Sequence, residues 1–212
     1  MSGIARLTVT LRGIRPLVWR RLEVPAASSF AELSAVILTA FGWTGCHLHD
    51  FVLADRRIGV PHPEASSETP IAIDGLADLL GQLAPELGSL VPTPPLDDEA
   101  HVTLAREIEC GQRRFLYRYD FGDDWRHQVD IEDVLAAEPG IAYPRCLAGS
   151  RAAPPEDCGG PAGYQHLCRV LADPRHCEYA RLRAWCPDFA PEWFDLAGTD
   201  HAVHASTNRP HD

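Results

Sequence analysis

The residues best suited to chemistry fall in one short run, Tyr119-Asp120-Phe121-Gly122-Asp123-Asp124-Trp125-Arg126-His127. Trp125, His127, Val129 and Ile131 alternate with Arg126, Gln128, Asp130 and Glu132. Alternation with a period of two buries one face of a strand and wets the other. A histidine then lies on the buried face, with carboxylates in the turn before it. That is the arrangement of a general base held by an acid. Asp120 or Asp124 would orient His127, and Glu156 or Asp157 would serve as the partner acid. The same placement also satisfies a polar group in a core.

A second set lies in the block from Tyr143 to Gly160. Its density of proline and glycine forbids a helix or a central strand. A long loop of this composition is a candidate functional loop. Glu156, Asp157 and Cys158 stand together there, and Gly159-Gly160 allows a tight turn or a close approach. Cys146, Cys158 and His127, with His49 as a fourth donor, are the candidate ligands of a zinc ion. Zinc in a structural site takes four N/S donors, and a Cys pair at this spacing is not a finger motif. As packing, the two cysteines are small buried residues under a loop. His47-x-His49 would put two imidazoles on one side of a strand, with its facing left open. The expected binding surface is a groove lined by Tyr119, Trp125, His49, Pro155 and Gly159.

These side chains need a scaffold. Leu7, Val9 and Leu11 alternate with polar neighbours, which predicts a strand over residues 4–12. Gly13 and Pro16 break it, and residues 17–24 resume as its hairpin partner. Ser29-Phe30-Ala31-Glu32 is a capping box opening a helix to Phe41, with Gly42 as its C-cap. Residues 55–101 read as an irregular, proline-rich insertion, with a short helix capped by Asp74. A strand near 102–108 leads into two strands joined by the Gly/Asp turn. Residues 133–137 read as a helical turn. Two helices follow, one opened by Pro161 or Gly163 and broken at Asp173-Pro174, the other over 176–185. The fold class is α+β: an antiparallel sheet of hairpins under an N-terminal helix and two C-terminal helices. Residues 1–197 form one domain, and 198–212 a flexible polar tail.

Composition narrows the function. The chain has 212 residues, 45% of them hydrophobic, enough for one sizeable core. No apolar run is long enough to span a membrane, and the start lacks a secretory pattern. The seven cysteines then suggest reduced thiols in a cytoplasm. The net charge of −11 disfavours non-specific binding of nucleic acid. All 19 basic residues are arginine, five of them before Glu23. That cluster reads as a charged strand edge, or as a patch for an acidic partner. The P-loop, the G-x-G-x-x-G and G-x-S-x-G motifs and H-E-x-x-H do not occur.

Four blocks, in order, resemble one family. They are "IRPLVWRRLEVP", "AFGWTGCHLHDFVL", "YDFGDDWRH" and "YPRCLAGSRAAPPEDCGGPAGYQHLCRVLADPRH". Together they resemble the Ri-plasmid ORF-3-like family, whose members occur on plasmids and as passenger proteins of insertion elements. Relatives often carry a cysteine just before the double proline, where this chain has Ala153. The resemblance implies a mobile-element-associated protein of bacteria. Its expected role is a binding or accessory module acting through protein contacts. The alternatives are a hydrolase-like enzyme using the His/Asp/Glu set, and a DNA-contacting accessory protein using the N-terminal arginines.

Overall fold

In a computed structural model of the chain, residues 3–61 and 95–206 are described here. The first strand, β1 (Gly3–Leu11), pairs antiparallel with β2 (Trp19–Pro25). Helix α1 (Phe30–Phe41) starts at Ser29, whose side chain accepts from the Glu32 N–H while the Glu32 carboxylate accepts from the Ser29 N–H. It ends at Gly42, which is left-handed at φ 73°. Three short strands follow: β3 (His49–Val52), β4 (Arg57–Gly59) and β5 (Leu96–Asp98). Helix α2 (Leu104–Glu109) leads to the hairpin of β6 (Arg114–Tyr119) and β7 (Trp125–Ala136). Edge strand β8 (Arg145–Ser150) precedes helices α3 (Gly160–Leu171), α4 (Tyr179–Trp185) and α5 (Leu196–Ser206).

The fold is α+β. One eight-stranded sheet runs β5-β4-β3-β6-β7-β1-β2-β8. Every neighbouring pair is antiparallel except β4 and β5, so the sheet is mixed. One face carries Leu7, Val9, Leu22, Phe51, Tyr117 and Val129 and packs under α1 through Phe30, Leu33 and Ile37. The other face is a lattice of ion pairs. Asp50 bridges Arg57 and Arg118, at 2.8 and 2.6 Å. Glu23 bridges Arg6 and Arg145, at 2.7 and 2.6 Å. Burial by itself would raise the Glu23 pKa, but hydrogen bonds from Arg6 and Arg145 outweigh it and hold the carboxyl below its usual value. No helix among the described residues is long and apolar enough to cross a membrane.

Five expectations need correction. Residues 133–136 are not a helical turn but the end of β7, where Val134 pairs with Ala5 and Ala136 with Gly3. A bulge between Arg6 and Leu7 absorbs the change in register. The segment near 102–108 is α2, not a strand, and its N-cap Thr103 accepts from the Arg106 N–H. Residues 145–150 form a strand, which their composition permits because β8 is at an edge. Residues 198–206 are not a loose tail: α5 runs to Ser206 and buries Val203 against the core. Among the described residues three helices, not two, follow the sheet. The short helix expected at Asp74 lies outside the described residues.

Candidate functional site

The site forms where the β6–β7 turn, the segment 42–48 and the loop 154–160 meet. Trp43, just beyond α1, organises this junction. Its ring stacks on Tyr119 at 5.2 Å and leans on Trp125 at 5.7 Å. Its indole N–H donates to the Pro154 carbonyl at 2.8 Å. Glu156 then clamps the loop: it accepts from the Tyr119 hydroxyl at 2.6 Å and the Thr44 N–H at 3.1 Å. The Gly159 N–H donates to Asp123 at 3.1 Å. Gly160, at φ 65°, lies against the Asp123 carbonyl so closely that a Cβ would collide with it.

The turn is equally constrained. Asp120 and Asp124 both have φ 53°, and Asp157 in the facing loop has φ 59°. Non-glycine residues in this left-handed region are uncommon, and they gather at functional sites. One Asp120 carboxylate oxygen, Oδ1, accepts from the Gly122 and Asp123 N–H groups, at 3.0 and 3.3 Å. Its other oxygen lies 3.7 Å from His47 Nε2, and Asp157 Oδ1 lies 3.3 Å from the same nitrogen. That nitrogen is shut off from solvent and makes no hydrogen bond. The His47 ring packs edge-on against Tyr119 at 5.7 Å. Among the described residues, potential ligand atoms converge in two overlapping groups. One is His47, Asp120 and Asp157, and the other is Cys46, His47 and Glu156.

The proline-glycine loop and the hairpin therefore meet, but without His127. That imidazole is fully buried between Phe41, Trp43 and Tyr117, with ring centroids at 4.7, 5.1 and 5.5 Å. Among the described residues neither of its nitrogens makes a hydrogen bond of good geometry, the Tyr117 backbone being the nearest polar neighbour to act on it, and no carboxylate lies within ion-pairing distance. Burial pushes its pKa down to about 3, opposed less strongly by the Tyr117 backbone. A general base needs hydrogen-bond reach to its proton, so the His127 dyad is not formed. Asp124 instead pairs with Arg126 at 2.9 Å.

The zinc set of Cys146, Cys158, His127 and His49 is not assembled either. His49 bonds Glu99 at 2.8 Å. Cys146 is buried under the edge strand, its N–H donating to Asp200 of α5 at 2.8 Å. Burial pushes the Cys146 thiol up to about 11 and the Cys158 thiol up to about 12. Thiols held protonated in this way are packing residues. Tyr119 and Trp125 do not line a groove as expected, since both are core residues. Pro155 and Gly159 do lie on the loop at the junction. His47 and Cys46 are the residues that the sequence signalled least clearly. β3 begins at His49, so His47 stands in the preceding segment, where strand alternation does not set its direction.

A mixed α+β sheet with a clamped hairpin-and-loop corner is the class these features define. The chain belongs to the plasmid pRiA4b ORF-3-like protein family, which it matches over residues 3–198. It is similar to the uncharacterised protein y4hQ of Sinorhizobium fredii (strain NBRC 101917 / NGR234). The two are 34% identical over 186 residues, covering 88% of this chain and 82% of the relative. It is also similar to the crystal structure of MM3350, a protein of unknown function from Methanosarcina mazei Go1. The TM-score there is 0.74 at 31% identity, over 92% of this chain and 96% of the other.

Proposed function

We propose that the chain is an accessory binding module of a mobile element, acting through protein contacts at the corner that holds His47, Asp120 and Asp157. The observation that carries this reading is an apolar rim on a rigid, charged corner. Leu48 is 54% and Phe121 47% exposed, and the two are tied together where the Asp120 N–H donates to the Leu48 carbonyl at 2.9 Å. Apolar anchors beside a polar rim have the composition of a protein-contact patch. The clamps from Trp43, Tyr119 and Asp123 support it further, because an ordered surface loses less entropy on binding. The mobile-element setting rests on the family and is an argument by analogy.

The test is cross-linking and co-purification from cells that carry the gene. A Leu48→Ser/Phe121→Ser double variant is run beside the original chain. One specific partner should be recovered with the original and reduced at least about tenfold with the double variant, while both melt at similar temperatures. Capture of nothing, together with turnover of a small substrate by the purified protein, would sink the reading.

One observation favours a second reading, a hydrolase-like enzyme. His47 stands between two carboxylates at 3.3 and 3.7 Å and takes the place as base that His127 was expected to fill. Hydrolysis abolished by His47→Ala would support it. Phosphate contact through the N-terminal arginines has less support: Arg6 and Arg21 are paired with Glu23 and Glu132, and Arg20 is buried.

A further inference from the structure

We propose that His47, Asp120 and Asp157 bind one divalent transition-metal ion of the zinc class, through Nε2 of the imidazole and one oxygen of each carboxylate. The distances carry the argument. A hydrogen bond between imidazole and carboxylate is made at about 2.7–3.2 Å with good alignment. Here the separations are 3.3 and 3.7 Å and neither makes the bond. Two donors on one ion, each about 2.1 Å from it, stand about 3.0 Å apart at a right angle. At the tetrahedral angle they stand about 3.4 Å apart, and about 4.2 Å when opposite. Both separations fall in this span, and all three ligand atoms lie within 4.8 Å of one another.

The burial of that nitrogen adds to the argument. His47 Nε2 itself is out of contact with solvent, although the side chain as a whole is 31% exposed, and among the described residues it has no hydrogen-bond partner. A buried polar atom in that state is costly, and a cation between it and the two oxygens removes the cost. The surroundings are those of a supported site. Asp120 has its other oxygen fixed by two N–H groups of the turn. Asp157 follows Glu156, whose two oxygens are held by Tyr119 and Thr44. Such outer contacts aim ligands and tune the ion. Glu156 in this arrangement is an anchor, and Cys46 is the nearby soft donor.

The donor set selects the ion. Calcium takes six to eight oxygens, and magnesium keeps its waters and avoids nitrogen. One imidazole and two carboxylates suit zinc, manganese, iron(II) or cobalt. Two carboxylates also neutralise the doubly charged ion. The Asp157 side chain is 73% exposed, so the ion keeps open positions toward water, as in sites that exchange a ligand.

The assignment shares its corner with the proposed partner contact, but its test needs no partner. The full chain is stripped with a chelator and titrated separately with Zn2+, Co2+, Mg2+ and Ca2+. Bound metal, cobalt d–d absorption and melting temperature are the readouts. One Zn2+ or Co2+ per chain is expected, with a raised melting temperature and no response to Mg2+ or Ca2+ at equal concentration. Asp157→Asn, on an exposed residue in a backbone conformation that Asn tolerates, should melt like the metal-free original. It should bind at least about 100-fold more weakly, beyond what loss of an outer contact costs. His47→Ala should do the same, and Cys46→Ser should keep full stoichiometry. No stoichiometric binding by the original chain overturns the assignment, and so does binding that survives both ligand variants. Loss of partner capture in the Leu48/Phe121 variant with metal binding intact would separate the two readings.

Discussion

A neutral imidazole enclosed by aromatic rings carries a cost that grows as the pH falls. In the folded chain the His127 pKa is pushed down to about 3 by burial, whereas an unfolded histidine titrates near 6.5. Between those values the unfolded chain binds the proton and the folded chain does not, so stability falls as acid is added. From pH 7 to pH 5 this one residue should remove about 2 kcal/mol. His127→Leu, which replaces an unpartnered polar ring with an apolar side chain, should be neutral or stabilising at pH 7. It should also abolish that part of the acid sensitivity. Urea unfolding of both proteins at pH 7 and pH 5 checks it, and an unchanged pH difference in the variant would show that the ring is not held neutral. The period-two pattern correctly put His127 on the buried face. It could not say what lies opposite, because that wall is built by Phe41 and Trp43, more than eighty positions earlier in the chain.

Among the elements, signals that act locally are legible in the sequence and remote ones are not. Helix α1 was legible because its capping box, apolar stripe and C-terminal glycine all act within a few residues. The end of β7 was not, because what extends it is pairing with β1, at the other end of the chain. Helix α5 was hidden for a related reason: its sequence is polar, and it is held mainly by one buried valine and by packing on α1 and β8. In the site, the Gly/Asp turn and the Pro/Gly loop announce themselves by composition, while no strand alternation sets the direction of His47, two residues before β3. Loop and hairpin remain joined only if the backbone at Gly160 can approach Asp123. Gly160→Ala adds a Cβ into the Asp123 carbonyl at a φ of 65°, and should cost about 2 kcal/mol or more. Amide exchange should quicken at Gly159, whose N–H is donated to Asp123, with α1 unaffected. Unchanged exchange there would mean that the clamp does not depend on this contact.

For the molecule as a whole, the central strands β6, β7, β1 and β2 are long and antiparallel, and α1 covers their inner face. Among the described residues the one parallel pair is β4 and β5, with Arg57 beside Leu96 and Gly59 beside Asp98. A parallel pair cannot be closed by a tight hairpin, since the chain must first travel back to the starting end. Here that return is short, about 8 Å for strands of this length, and six extended residues reach about 20 Å. Replacing residues 62–94 with six Gly/Ser residues should therefore keep the fold, with a melting temperature within about 5 °C of the original. Circular dichroism melts check it, and a chain that no longer folds would show that the removed stretch is integral to the core. That stretch leaves from the end of β4 and rejoins at the start of the neighbouring β5, at the margin of the sheet and far in strand order from β8. That makes the margin a natural splice point, where evolution or an engineer can exchange one polypeptide insert for another without re-threading the barrel-less sheet behind it.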